Sequence, residues 1–209
     1  MAPWQEPREP RGSFAALGRQ FTNMNALPHS TQVLEALPRV APGLEKYCWL
    51  QAHLHERDVS ADREFQRRFA GFYRVRRGEA WRRTFFEILQ NHKGTNLAFS
   101  TALGQLARAT GRVEASFASK LVATINPDQP VIDSVVLRNV GLRLPPLGAA
   151  DRLDRIVLVH SQLANWYGLQ LGSPAGAEVI RLFREAYPSA PISDTKALDL
   201  VLWQIRGAA

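Results

Sequence analysis

From Phe65 onward the apolar residues of this chain recur three and four positions apart, and no segment sustains the every-second-residue alternation of a strand. Phe65, Phe69, Phe72 and Tyr73 make one such stripe, and Trp81, Phe85, Ile88 and Leu89 make a second. Ala197, Leu198, Val201, Leu202 and Ile205 make a third near the C-terminus. This spacing gathers side chains on one face of a helix, which must be buried against other helices. Val131-Ile132 and Val135-Val136 are too short to argue a sheet. The pattern predicts an all-α fold, a single compact domain of about eight to ten helices over residues 14–209. Residues 1–13 carry three prolines and both charge signs without an apolar core segment, and read as a disordered leader rather than a secretory signal.

Punctuation residues divide the stripe into elements. One helix is expected over residues 43–57, starting after Pro42, because proline interrupts a helix interior. Ser60 is the expected N-cap of the next, with Asp62 and Glu64 in its first turn. A helix over 79–92 follows, and Thr95 or Asn96 is placed to cap another that ends near Gly111. Residues 113–125 and 149–168 read as helices, with 143–148 as a connector between later elements. Ser173-Pro174 signals a start with proline at the first helical position, and Pro188 stops that helix after Tyr187. Ser193 opens the last one.

Charge narrows the partners. The net charge is +7 and the pI about 10.2, with only four lysines, Lys46, Lys93, Lys120 and Lys196, among 26 basic residues. An acidic partner is expected, and nucleic acid is the commonest one. Cys48 is the single cysteine, which excludes an internal disulfide, a four-cysteine iron–sulfur cluster and a cysteine zinc site. It fits a reducing, cytoplasmic setting. His53 and His55 lie two apart and face different sides of a helix, so no metal site is expected, nor any cofactor. No run approaches the roughly 18 apolar residues of a membrane span.

The chemistry-bearing stretch is residues 111–141, GRVEASFASKLVATINPDQPVIDSVVLRNVG. Asp133 precedes Ser-Val-Val-Leu-Arg-Asn-Val and is set as an N-cap, with Gly141 closing the short helix. A carboxylate held ionised at a helix N-terminus suits stabilising a developing cation or activating a water or amine. Lys120 lies at the edge of the stripe formed by Phe117, Leu121 and Ile125. Beside a cleft, a desolvated lysine is an amine nucleophile; at a plain surface it snorkels to solvent. Structural caps and snorkelling lysines give the same local pattern, so spacing alone leaves both alternatives open. Among the arginines interleaved with aromatics between Arg63 and Arg83, Arg74, Arg76 and Arg77 at a helix end are candidates for phosphate contacts.

Pro130-Val131-Ile132-Asp133-Ser134-Val135 resembles the aspartate approach of the helix-hairpin-helix DNA glycosylase superfamily, in the branch with the 8-oxoguanine DNA glycosylase fold. The resemblance covers about 30 of the 209 residues. It implies an all-α fold of that type and excision of a damaged base, an oxidised purine such as 8-oxoguanine, from DNA. Asp133 would be the catalytic carboxylate and Lys120 the nucleophile of bifunctional members. The glycine amides of the family's hairpin hold DNA, which points to Gly111 and Arg112. The family's lysine directly follows a Gly-x-Gly-like turn, whereas Ala115-Ser116-Phe117-Ala118-Ser119 precedes Lys120 here. Such weakening of the hairpin fits the alternative, a catalytically degenerate relative that binds DNA or a protein without chemistry.

Overall fold

A computed structural model describes residues 24–206. The expected leader over 1–13 and the ends of the expected domain, 14–23 and 207–209, lie outside the described residues. Within them the chain is all-α, with nine helices and no strand.

α1 (Ser30–Leu54) runs straight through Pro38 and Pro42, so the expected start after Pro42 is corrected. Both prolines are exposed, and the carbonyls they leave without N–H partners belong to Leu34 and Pro38, themselves exposed residues. The Leu37 carbonyl, just before Pro38, accepts from the Tyr187 hydroxyl. Val33, Leu37, Val40, Leu44, Tyr47, Leu50 and Leu54 bury the opposite face, and this packing outweighs two missing backbone bonds.

α2 (Arg63–Tyr73) is capped by Asp62, whose carboxylate accepts from the Phe65 N–H at 2.9 Å. Ser60, the expected cap, instead donates its hydroxyl to Asp58 at 2.6 Å. α3 (Glu79–His92) and α4 (Phe99–Thr110) follow. Thr95 and Asn96 do not cap α4. The Thr95 hydroxyl closes α3 by donating to the His92 carbonyl, and Ala98 stands at the α4 N-cap without a side-chain bond. Gly111 ends α4 in the left-handed region at φ 69°, where only glycine is unstrained.

α5 (Ala115–Ile125) and α6 (Ser134–Val140) carry the 111–141 segment. α7 (Arg152–Leu171) begins three residues later than expected, after a turn closed by the Ala149 N–H on the Pro146 carbonyl. α8 (Pro174–Ala186) and α9 (Asp194–Gln204) begin where Ser173 and Ser193 predict, each serine hydroxyl accepting from an N–H three residues on. The α7–α8 corner is so tight that a Cβ on Gly176 would meet the Gln170 carbonyl oxygen at 1.9 Å.

α9 is the hub. It packs on α1, α6, α7 and α8, while α3, α4 and α5 pack on one another. An aromatic cluster of Phe65, Phe69, Phe85 and Phe86 fills the space between α2 and α3 with ring centroids 5.3 to 6.5 Å apart. Phe65, Phe69, Phe72 and Tyr73 are core residues, as their spacing predicts. The 111–141 segment runs between this cluster and the hub.

Candidate functional site

The approach to Asp133 is fixed at each step. The Ile132 N–H donates to the Ser119 hydroxyl at 2.8 Å, and the His160 ring hydrogen-bonds the Pro130 carbonyl. His160 stacks on Phe99 with centroids 3.9 Å apart and is deeply buried. Desolvation pushes its pKa down to about 4, so the ring is neutral at pH 7. With the backbone so held, Asp133 caps α6, accepting from the Val135 N–H at 2.8 Å. One face of Asp133 lies on an open cleft of about 900 Å³ that Ser116, Arg138 and Arg143 also line. Its other face reaches a narrow cavity of about 20 Å³ shared with Lys120, Asp199, Phe72, Tyr73 and Trp203. That volume holds about one water.

Lys120 sits in the second turn of α5 and is 9% exposed, so it does not snorkel to solvent. Its Nζ donates to the Tyr73 carbonyl at 3.3 Å and lies 5.0 Å from the centre of the Phe117 ring. No ion pair to a carboxylate is formed by Lys120 among the described residues. Burial lowers its pKa, against the attraction of Asp133 and Asp199 and with a smaller push from Arg77. The two residues of the 111–141 segment that pointed to chemistry therefore line one cavity.

Two further residues, Asp199 on the cavity wall and Lys196 behind it, were not singled out from sequence. Asp199 accepts from Lys196 Nζ at 3.0 Å and from the Tyr167 hydroxyl at 3.2 Å. Lys196 is 1% exposed and lies 5.1 Å from the Tyr47 ring centre. Its pKa is raised: the carboxylate and the two nearby phenols outweigh desolvation, the largest single influence. Tyr167 is held firmly protonated by burial and by Asp199, so it remains a donor. The legible signal was the Lys-x-x-Asp spacing on α9, a helix buried nearly all round, where any charge must find a partner.

The candidate DNA contacts fall on two adjoining loops. Arg77 grips Glu114 through Nη2 at 2.6 Å and Nε at 3.0 Å, and Trp81 Nε1 donates to the same carboxylate at 2.7 Å. Glu114 therefore ties the turn 111–114 to the loop after α2, and Arg152 donates to the Val113 carbonyl from the other side. Arg77 is thus engaged in structure, while Gly111, Arg112, Arg74 and Arg76 are exposed. Arg74 occupies the left-handed region at φ 53° and sits 5.7 Å over the half-buried Trp203 ring at the cavity's edge. Arg39, Lys46 and Arg206 line the adjacent groove with it. No group of three or more potential metal ligands occurs among the described residues. No described helix is long and apolar enough to cross a membrane.

No protein-family model matches this chain, and no curated protein or solved structure is significantly similar to it.

Proposed function

We propose that this protein is a DNA-binding, DNA glycosylase-like enzyme of the helix-hairpin-helix type, which excises a damaged base such as an oxidised purine. The observation that carries the reading is that Lys120 and Asp133 line one cavity, with Lys120 buried and free of a direct carboxylate partner. A helix–turn–helix made of α4, the turn 111–114 and α5 supports it, as do the exposed arginines around the cavity mouth.

Desolvation favours the neutral amine, the form able to attack. Attack on the anomeric carbon forms a C–N bond as the bond to the base breaks. The base leaves with the electron pair and takes up a proton, and the ammonium formed on Lys120 loses one. The Asp133 carboxylate stabilises the positive charge that develops on the sugar. Sugar-ring opening then gives a Schiff base to Lys120. The target nucleotide has to leave the base stack and enter from the open side, where the half-buried Trp203 lines both the cavity and the adjacent groove. Trp166 and Tyr167 are buried and Phe117 packs on Trp81, so core packing rather than base stacking accounts for these three.

The test is base release from duplexes carrying single lesions, with borohydride trapping of the covalent adduct. Wild type should release a base and trap, Lys120→Met should not trap, and Asp133→Asn should release at least about a hundredfold more slowly. Equal behaviour of wild type and Asp133→Asn on every lesion rules the chemistry out. The small cavity and the single glycine of the turn favour one other reading, a glycosylase-fold protein that binds DNA or a protein without chemistry. It predicts salt-dependent DNA binding that survives loss of both residues.

A further inference from the structure

The arginines of this chain are not distributed alike. On α8, Arg181 sits between Glu178 and Glu185, and Arg184 bonds Asp194. On α2, Arg68 pairs with Glu64. Arg63 and Arg67 on α2 and Arg82 and Arg83 on α3 differ. They are exposed, form no ion pair or hydrogen bond among the described residues, and all line one cleft of about 710 Å³. A single carboxylate, Glu79, shares that cleft. Four guanidinium groups facing one space repel each other, and a polyanion between them would turn that repulsion into attraction.

We propose that the groove between α2 and α3 holds the sugar–phosphate backbone of a nucleic acid strand, apart from the Lys120–Asp133 cavity. Arg63 and Arg67 are one helical turn apart, about 6 Å along the axis, a spacing comparable to that of successive phosphates on a strand. Guanidinium forks match phosphate oxygens bidentately. The floor is small, with Ala61 and Ala70, and contains no aromatic ring or apolar pocket. It therefore offers neither a stacking platform for bases nor the buried anchor a peptide needs. The large exposed apolar residues, Leu34, Leu147 and Leu169, are not in the groove, so nothing there inserts into a bilayer. Backbone contact without base readout is the mode that fits, and it adds affinity but no sequence preference.

The inference shares DNA binding with the proposed function but not its chemistry, and salt dependence separates the two. Anisotropy titrations of a labelled duplex between about 50 and 200 mM salt give the slope of log K against log salt. Combining Arg63→Gln, Arg67→Gln, Arg82→Gln and Arg83→Gln should make that slope shallower by about three to four, with affinity down about a hundredfold or more near 0.1 M salt. Arg67→Gln with Arg83→Gln should remove about two units of slope, which serves if the fourfold variant does not fold. Arg155→Gln with Arg181→Gln, outside the groove, should leave the slope unchanged. An unchanged slope in a folded groove variant overturns the proposal. So does competition by polyglutamate or anionic vesicles that equals DNA per charge, or by inorganic phosphate at micromolar concentration. Slope loss without any base release by wild type leaves the groove standing and removes the glycosylase chemistry; base release with an unchanged slope does the reverse.

Discussion

Two buried lysines, Lys120 on the wall of the cavity and Lys196 paired to Asp199 of the same wall, behave oppositely. Lys196, from α9, has the Asp199 carboxylate at 3.0 Å and is held charged. Lys120, from α5, has a backbone carbonyl and an aromatic face for company, and burial drives it towards the neutral amine. Depth is not what distinguishes them, since both are buried. The protonation state follows from whether a carboxylate is within bonding distance: Lys196 has one and stays charged, while Lys120 on the cavity wall has none.

The largest test removes what sets the two apart. Asp199→Leu leaves Lys196 buried without its counter-charge and should lower unfolding free energy by about 3–5 kcal/mol in urea titrations. Lys196→Met combined with Asp199→Leu should recover most of that loss. A single-variant loss under about 1 kcal/mol would mean that the pair is hydrated and the contrast with Lys120 is false.

His160 sharpens the comparison in acid, since it too is buried and has no counter-charge. Its folded pKa, about 4, lies below its unfolded value near 6.5, so the unfolded chain binds the proton more readily. The stability it contributes is fully present above pH 6.5 and is lost as the pH falls to about 4, by roughly 3 kcal/mol in all. Unfolding of wild type against His160→Leu at pH 7 and pH 4 measures it. Equal pH dependence in the two proteins would assign the acid sensitivity elsewhere.

A smaller effect separates architecture from chemistry at Asp133. Asp133→Ala should cost about 1 kcal/mol through the lost cap, whereas Asp133→Asn keeps a capping acceptor and most of the stability. If both lose base release, the carboxylate charge is what matters there. Lys120→Met, a swap of similar volume, is expected to change stability by less than about 1.5 kcal/mol in either direction at pH 7. The sign with pH is opposite to that of a salt-bridged lysine. With its folded pKa below 10.5, Lys120 makes wild type gain stability as pH rises from its folded pKa towards 10.5, a gain that Lys120→Met lacks. Parallel pH profiles from denaturant titrations would contradict the depressed amine.

Local signals were legible and distant partners were not. Asp133 as a cap, Gly111 and Gly141 as helix ends, and the starts at Ser173 and Ser193 follow from residues within four positions. Ser60 lost its role to Asp62, two residues on, because an ionised carboxylate is the stronger acceptor and Asp58 engages the serine hydroxyl. The proline rule failed at Pro38 and Pro42 because tertiary burial of α1 overrides local preference. The environment of Lys120 was out of reach, since Tyr73 lies 47 residues before it and Asp199 comes from the last helix. The all-α class needed only periodicity, whereas the site needed the packing of α2, α5, α6 and α9.

The Lys196–Asp199 pair also constrains how this sequence can drift. Losing either member alone strands a charge in the core, while losing both together is tolerable, so the two positions are joined by a fitness valley that single substitutions do not cross. A lineage in which nothing depends on the Lys120 amine would shed Lys120 freely, yet would keep this pair long afterwards. Among descendants of this chain, position 120 is therefore free to change wherever nothing depends on its amine, and the pair on α9 is the marker of common origin.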